Sequence, residues 1–299
     1  MRAALLVLLA AVPAWAGGAL SVVTTSTDLQ ALVEAVGGDR VRVESLAPAA
    51  HEPHAVTVTP GQFEKLKAAA LLVRIGLDHE PWLARVLRAA NDPRFAPGSA
   101  HDLDVSKSVD LLQTATARVR GEGVAHVHGF GNPHYWLDPA NARPMTGAIL
   151  EALVRLAPDG RDVFAKNRAR WLARLDDSLA RWTRALAPYR GTRAVVVHDS
   201  WPYFARRFGL VVVAAVEPAP GVPPSAASLA ALTAKMRQAR VRLVIGEPSS
   251  NASLVSHVAA RGGARAVVLV PSVGADPEAG DYVALFELDV RRLVEALGP

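Results

Sequence analysis

Cysteine is absent from all 299 residues of the chain. Disulfides are therefore excluded, and so are thiolate metal ligands and a lipid-modified cysteine behind an export signal. Basic and acidic residues nearly balance, 33 against 28, and no dense run of Lys or Arg occurs, so nucleic acid is not an expected partner. The sequence also lacks the Gly-x-Ser-x-Gly elbow of serine hydrolases and the three spaced glycines of a dinucleotide-binding loop.

Residues 1–16 have the three parts of a secretory signal. An arginine precedes the apolar run from Ala3 to Val12, and Ala14 and Ala16 supply a small-residue cleavage site. The run is shorter than the roughly 20 apolar residues of a membrane span. We therefore expect an exported protein whose mature chain starts at Gly17 and which is freely soluble in the periplasm, without a lipid anchor.

Strand-like and helix-like segments alternate through both halves of the remaining chain. Leu71 to Ile75 is a typical buried-strand run, and Pro60 to Ala69 indicates a helix with proline at its start. In the second half, Ser225 and Asn251 are predicted helix caps. This alternation predicts an α/β protein. The stretch from about 91 to 131 is richer in Gly, Ser and Asp, and is predicted to be loop-rich.

Large apolar residues recur at spacings of three, four and seven between residues 159 and 187. The pattern predicts one long amphipathic helix, roughly 40 Å at 1.5 Å per residue. A helix of that length can contact two lobes and hold them at a fixed angle, although an ordinary core helix would show the same pattern. We expect a signal peptide at 1–16, a first α/β lobe at 17–157, the linking helix at 158–190 and a second α/β lobe at 191–299.

Three histidines and an aspartate stand far apart in separate settings: His54, His134, His198 and Asp281. Imidazole nitrogens and a carboxylate oxygen are usual ligands of zinc, and ligands from distant segments need a folded chain to meet. His54 and His198 each follow a predicted strand, where open α/β sheets bind ligands. Each residue also has a structural alternative, which is an imidazole held in a turn or, for Asp281, a helix cap.

Four further residues are candidates for auxiliary roles. His51 precedes the first of these histidines by three residues across a proline, which excludes the helical zinc-protease spacing. His126 and His128 either form a weak transient metal site or are simply exposed. Glu247 ends a predicted strand, and it either orients a ligating imidazole through a hydrogen bond or lies at the surface.

Taken in order, these segments resemble the zinc and manganese solute-binding proteins of ABC importers. The resemblance covers essentially the whole mature chain. It is carried by Val22 to Ser26, Pro53-His54 with Thr59-Pro60, Gly76-Leu77 with Glu80-Pro81-Trp82, Pro133-His134 with Trp136 and Asp138-Pro139, Asn167, His198-Asp199, Glu247-Pro248 and Asp281-Tyr282. It implies two α/β lobes joined by one long rigid helix, with a metal cleft between them.

The resemblance also implies a ligand set and a cargo. His54 and His134 would be the first lobe's ligands, while His198 and Asp281 would come from the second. In this family a histidine at the position of His198 accompanies zinc, and manganese members often have glutamate there. Three imidazoles likewise suit zinc better than manganese. The implied cargo is therefore Zn²⁺, and a manganese or iron protein of the same family is the alternative.

The partners implied by the resemblance are an ABC permease and its ATPase, with the protein itself a monomer. The rival interpretation is a periplasmic zinc-dependent hydrolase with Glu247 as its general base. Four protein ligands argue against it, because catalytic zinc usually keeps three protein ligands and an exchangeable water. Many zinc members carry a histidine-rich loop before the second ligand, and only His126 and His128 remain of it here.

Overall fold

The computed structural model describes residues 18–49, 56–112, 131–218 and 222–298. The strands and helices in these ranges are β1 Leu20–Thr24, α1 Thr27–Gly37, β2 Val41–Ser45, α2 Pro60–Ala68, β3 Leu71–Arg74, α3 Leu83–Ala90, β4 Asp102–Asp104, α4 Ala142–Leu156, α5 Arg161–Leu186, β5 Arg193–Val196, α6 Pro202–Phe208, β6 Val211–Ala215, α7 Ala226–Gln238, β7 Leu243–Gly246, α8 Ala252–Gly262, β8 Arg265–Val268 and α9 Tyr282–Leu297. Within those ranges no helix combines the length and the apolarity that a bilayer span requires.

The strands form two parallel four-stranded sheets, one in each half of the chain. Their orders are β2-β1-β3-β4 and β6-β5-β7-β8, which is the same order when each sheet is numbered separately. The strand order reverses between β1 and β3 in the first sheet and between β5 and β7 in the second. Ligands of open α/β sheets bind at the carboxyl ends of the strands beside such a reversal. The predicted pair of α/β lobes is confirmed.

The central strands are hydrophobic on both faces. Leu71 and Val73 of β3 pack into the large core that both lobes share, while Leu72 packs into a separate cluster with Leu66 and Val86. Side chains alternate between the faces of a strand, so a continuous apolar run indicates helices on both sides of the sheet. Each fully buried leucine or valine contributes about 1.5–3 kcal/mol of hydrophobic stabilisation.

The long helix α5 contacts both lobes. It packs against α1 and α4 of the first half and against α9 of the second. Asn167 donates to the carbonyl of Val36 at 3.2 Å, and the indole of Trp182 donates to Glu287 at 2.8 Å. Its 26 residues correspond to about 39 Å of helix axis. The prediction of one long helix in contact with two lobes is confirmed.

The prediction of a loop-rich stretch between 91 and 131 was wrong at β4. Asp102 and Asp104 extend the first sheet, and Leu72 pairs with Asp102 in the ladder. Aspartate is uncommon in strands, which is why the sequence gave no strand signal. Arg74 on the neighbouring strand pairs with both carboxylates, at 2.8 Å to Asp102 and 3.0 Å to Asp104. Tertiary ion pairing therefore outweighs the local preference.

The segment 270–273, between β8 and α9, is bonded to the first lobe and is called the junction segment below. At the start of α1, Thr27 donates to the carbonyl of Val273 at 2.7 Å, and the Asp28 carboxyl accepts the Val273 N–H at 2.9 Å. These bonds join the first helix of one lobe to the backbone of the other. The two lobes are therefore connected away from α5 as well as through it.

Two more groups complete the hydrogen bonding of the junction segment. The indole of Trp136 donates to the Pro271 carbonyl at 2.8 Å, and Asp289 of α9 accepts the Val270 N–H at 2.8 Å. Burial raises the pKa of Asp28 to about 7, and it raises the pKa of Asp289 well above the ordinary aspartate value. The junction is thus held by two buried carboxyls, one from each lobe.

Candidate metal centre

His134 is held in one tautomer by Asn132. The side-chain oxygen of Asn132 accepts both the backbone N–H of His134, at 2.9 Å, and its ring Nδ1, at 3.0 Å. The amide nitrogen of Asn132 donates to the carbonyl of Asp199 at 2.8 Å, which fixes the orientation of the amide. Nδ1 therefore carries the proton, and Nε2 carries the lone pair that a metal would bind.

His198 is oriented by a carboxylate. It stands two residues beyond β5, and its Nδ1 lies 3.2 Å from Oε2 of Glu217. Glu217 follows β6 and continues the ladder, because its backbone N–H donates to the Val197 carbonyl at 3.0 Å. A carboxylate accepts the proton on Nδ1 and leaves the lone pair on Nε2. This carboxylate–histidine arrangement is the one that commonly supports metal-ligating histidines.

The structure brings His134 and His198 together. Both imidazoles are buried, and their ring centroids are 5.3 Å apart with planes 76° from parallel. Two imidazoles bound to one tetrahedral zinc have centroids roughly 5 Å apart, because each Zn–N bond is about 2.0–2.1 Å. His134 precedes α4, which packs on α1, whereas His198 belongs to the second sheet. The pair therefore places one ligand from each lobe at the spacing of a shared ion.

A third imidazole, that of His79, lies beside this pair and was missed by the sequence interpretation. Its side chain is 1% exposed, and its ring centroid is 5.4 Å from that of His134. Trp136 packs on both rings, at 5.0 Å from His79 and 5.3 Å from His134. The site therefore contains three neighbouring imidazoles in the described residues, one of them walled by an indole.

His79 follows an unusual turn. Gly76, Leu77 and Asp78 all have left-handed backbone angles, with φ of 81°, 57° and 56°. Only glycine fits the first position, because a Cβ at Gly76 would overlap the carboxylate of Asp104. A left-handed conformation at a bulky residue such as Leu77 costs on the order of 1–3 kcal/mol and persists where the surrounding structure enforces it. The turn places His79 in the site at a cost to stability.

Glu80 holds this turn in place. Its carboxylate accepts the backbone N–H groups of Ile75 and Gly76, at 2.7 and 3.1 Å, and the hydroxyl of Thr25 at 2.5 Å. Burial raises the pKa of Glu80 to about 7, against the opposing effect of these hydrogen bonds. Thr25 follows β1 and Ile75 follows β3, so Glu80 ties together the two strands that flank the reversal in strand order.

Asp281 has the capping role that the sequence left open as an alternative. One carboxylate oxygen accepts the N–H groups of Val283 and Ala284, both at 2.8 Å, and the other pairs with Arg174 at 3.0 Å. Its side chain is 47% exposed. Both oxygens are thus engaged at the start of α9. A ligand role for Asp281 stays a prediction.

Glu247 and Glu217 divide the supporting roles differently from the sequence interpretation. Glu247 is buried and accepts the indole N–H of Trp201 at 3.1 Å, whereas the carboxylate bonded to His198 is that of Glu217. A signal for Glu217 does exist, because it ends the strand next to the one that ends at His198. Carboxyl ends of neighbouring parallel strands meet at one edge of a sheet.

The remaining candidates, His51, His54, His126 and His128, lie outside the described residues. In the part of the chain that the structure describes, no group of three or more His, Cys, Asp or Glu side chains is gathered to hold a metal ion. The described side chains alone therefore do not form a complete set. His54 is the predicted donor from beyond them.

The comparisons with known proteins agree with this geometry. Residues 22–296 match the family described as "ZnuA: Zinc-uptake complex component A periplasmic". The chain belongs to this family. The resemblance to metal-binding proteins of ABC importers is confirmed by that match, which covers all eight strands described above.

Individual relatives support the same conclusion. The chain is 30% identical over 301 residues to the high-affinity zinc uptake system protein ZnuA of Paracoccus denitrificans, over 93% of this chain and 91% of that protein. It is 26% identical to the zinc-binding lipoprotein AdcA of Streptococcus pneumoniae over 93% of this chain, and spans 56% of that relative. A crystal structure of a zinc-bound ZnuA deletion mutant, 28% identical, superimposes with a TM-score of 0.77 over 94% of this chain and 99% of that one.

Proposed function

We propose that the protein captures Zn²⁺ in the periplasm and delivers it to an ABC permease driven by its ATPase. The observation that carries the proposal is the pair of buried imidazoles from opposite lobes, His134 and His198, at 5.3 Å. Each has its Nδ1 hydrogen-bonded, so the two Nε2 lone pairs serve one ion. Membership of the zinc-uptake family supports the same cargo.

The proposed ligand set contains His54, His134 and His198. Asp281 was predicted to complete it, and that role has weaker support. To bind the ion, the Asp281 carboxylate would give up hydrogen bonds from two backbone N–H groups and an ion pair with Arg174. Loss of a helix cap of this kind costs about 0.5–2 kcal/mol.

Zinc is favoured over manganese or iron by the donors themselves. Imidazole suits zinc, whereas manganese prefers sites rich in carboxylate and carbonyl oxygen. Bonding of Nδ1 to Asn132 or Glu217 raises the basicity of the opposite ring nitrogen and strengthens a metal–nitrogen bond. A manganese or iron protein with the same fold is the alternative within the family.

We infer a binding protein and not a hydrolase. The hydrolase alternative requires Glu247 as a general base, and that carboxylate accepts the buried indole N–H of Trp201. The zinc-uptake family consists of components that bind and transfer a substrate. Capture of zinc by neutral imidazoles releases protons as the ion binds, so affinity is expected to fall as the pH falls.

The proposal includes export and chain organisation. Residues 1–16 support cleavage after Ala16, and the lack of cysteine supports a periplasmic form without a lipid anchor. We assign 17–157 to the first lobe, 158–190 to the linking helix and 191–299 to the second lobe, and we propose a monomer. The helix α5 is bonded to both lobes, so metal binding is expected to change the lobe angle only slightly.

The test is a competition titration of the metal-free mature protein with zinc and with manganese against a chelator of known affinity. One tight zinc equivalent with much weaker manganese is the expected result. Comparable or tighter manganese would overturn the choice of metal while leaving a transport role. The absence of any tight site would overturn the proposal as a whole.

A further inference from the structure

We infer that His79 is a fourth ligand of the metal, in the place predicted for Asp281. The inference rests on the proposed function, since it concerns the same ion. It changes the donor set from three nitrogens and one oxygen to four imidazole nitrogens. Such a set suits zinc more strictly than one that contains a carboxylate.

The first support is ring spacing. The centroid of His79 lies 5.4 Å from that of His134, and the centroid of His198 lies 5.3 Å from it. Both values match the roughly 5 Å expected for two imidazoles that share one tetrahedral zinc. His134 is thus at ligand spacing from an imidazole of its own lobe as well as from one of the other lobe.

The second support is the position of His79 in the sheet. It follows β3, the strand beside the reversal of strand order, and it lies at the same edge as the other ligands. Three consecutive left-handed residues precede it, and Leu77 and Asp78 among them are not glycine. Strained backbone of this kind clusters at binding sites, where the surrounding structure enforces it. Glu80 supplies that enforcement through its bonds to Ile75 and Gly76.

The third support is that His79 has the proximity that Asp281 lacks. The Asp281 carboxylate is used by the start of α9 and by Arg174, with almost half of the side chain exposed. His79 is buried against His134 and Trp136. A ring packed against an indole can also be a purely structural element, and this is the alternative that an experiment has to exclude.

The experiment counts ligands directly. Mature protein labelled with ¹⁵N-histidine is loaded with one equivalent of ¹¹³Cd²⁺, which stands in for zinc, and each coordinated imidazole is identified by its ¹¹³Cd–¹⁵N coupling. Nine histidines give nine ring systems to resolve. Four coupled imidazoles are expected in the wild type and three in His79→Gln. Three in the wild type, with none lost in His79→Gln, would overturn the inference.

Zinc affinity in matched variants separates ligation from packing. His79→Phe keeps an aromatic ring against Trp136 but has no lone pair, and His79→Gln removes the ring. Both should weaken zinc at least tenfold, whereas Asp281→Asn should change the affinity less than twofold. Wild-type affinity in His79→Phe would assign His79 to packing and overturn the inference. Thermal melting of the metal-free variants confirms that each is folded.

The two levels of the proposal fail in distinguishable ways. Absence of tight zinc binding in the wild type would overturn the proposed function together with this inference. Tight zinc binding that is insensitive to both His79 variants would overturn the inference alone. In that second case the ligand set would return to His54, His134, His198 and Asp281.

Discussion

The two lobes have the same strand order but prepare their metal-binding edges differently. In the first lobe the strand β1 is followed by Thr25, which donates to the buried carboxylate of Glu80. In the second lobe the corresponding strand β5 is followed by His198, which is bonded to Glu217. Both edges therefore use a hydroxyl or imidazole next to a carboxylate. Only the second lobe places an imidazole directly at its first strand.

The first lobe obtains its imidazoles from longer connections. His134 stands at the start of the 3-10 turn before α4, and His79 stands at the end of the left-handed turn after β3. An amide, that of Asn132, supports His134, whereas a carboxylate supports His198. A shared topology thus fixes where ligands can be placed, and the connections decide which residues are used and how strongly each is polarised.

The comparison is broken most severely by removing one imidazole from each lobe. His134→Ala and His198→Ala should each weaken zinc at least about 100-fold, because loss of even a supporting hydrogen bond commonly costs 10–100-fold in metal affinity. Competition titration measures the effect. His257→Ala, an exposed histidine on α8, is the control and should leave the affinity unchanged. If either ligand variant stays within threefold of the wild type, the site is confined to the other lobe.

The junction between the lobes provides the next largest effect. The pKa of Asp28 is about 7 in the folded protein against an ordinary value of 3.8, because the carboxyl is buried. The folded state therefore binds a proton more tightly than the unfolded state, so this group's contribution to stability falls as the pH rises from about 4 to 7. Asp28→Asn should be more stable than the wild type by about 2 kcal/mol at pH 8 and nearly equal at pH 4.

Urea denaturation of the metal-free proteins at the two pH values measures this difference. Comparison of variant with wild type at each pH cancels the parallel contribution of Glu80, whose pKa is also raised by burial. Asp289→Asn in the second lobe should show the same direction, since burial raises that pKa too. A variant less stable than the wild type at pH 8 would show that Asp28 contributes more as a hydrogen-bonded anion than its burial costs.

The smallest effect sharpens the difference between the supporting residues. Glu217→Gln keeps a side-chain oxygen that can accept from His198 but removes the negative charge, so zinc affinity should fall about tenfold. Glu247→Gln is the matched control, because its oxygen can still accept from the Trp201 indole. The same competition titration measures both variants. A larger loss in Glu247→Gln would restore Glu247 as the residue that supports the ligand.

Local signals in the sequence predicted most of the fold. The caps at Ser225 and Asn251 accept the expected backbone N–H groups, and α2 starts at Pro60 as predicted. These features depend on residues within one turn of each other. The strand β4 was not predicted, because its aspartates are stabilised by Arg74 from a neighbouring strand. Pairing of that kind leaves no trace in local periodicity.

The site was predicted less completely for the same reason. His134 and His198 follow recognisable motifs, and the structure places them together. His79 was missed because its position depends on left-handed angles at Leu77 and Asp78, which neither residue type predicts. Glu217 was missed because its contact with His198 requires knowledge that β6 lies beside β5. Both residues require the tertiary arrangement.

The junction segment has a consequence for how the protein unfolds. Its backbone is bonded by Asp28 and Trp136 from the first half of the chain and by Asp289 from the second. Opening either lobe would expose these buried partners in the other, so neither half can lose its structure independently at low cost. The chain should therefore melt cooperatively as one unit, and a metal ion bound at the opposite edge would raise that single transition for both lobes together.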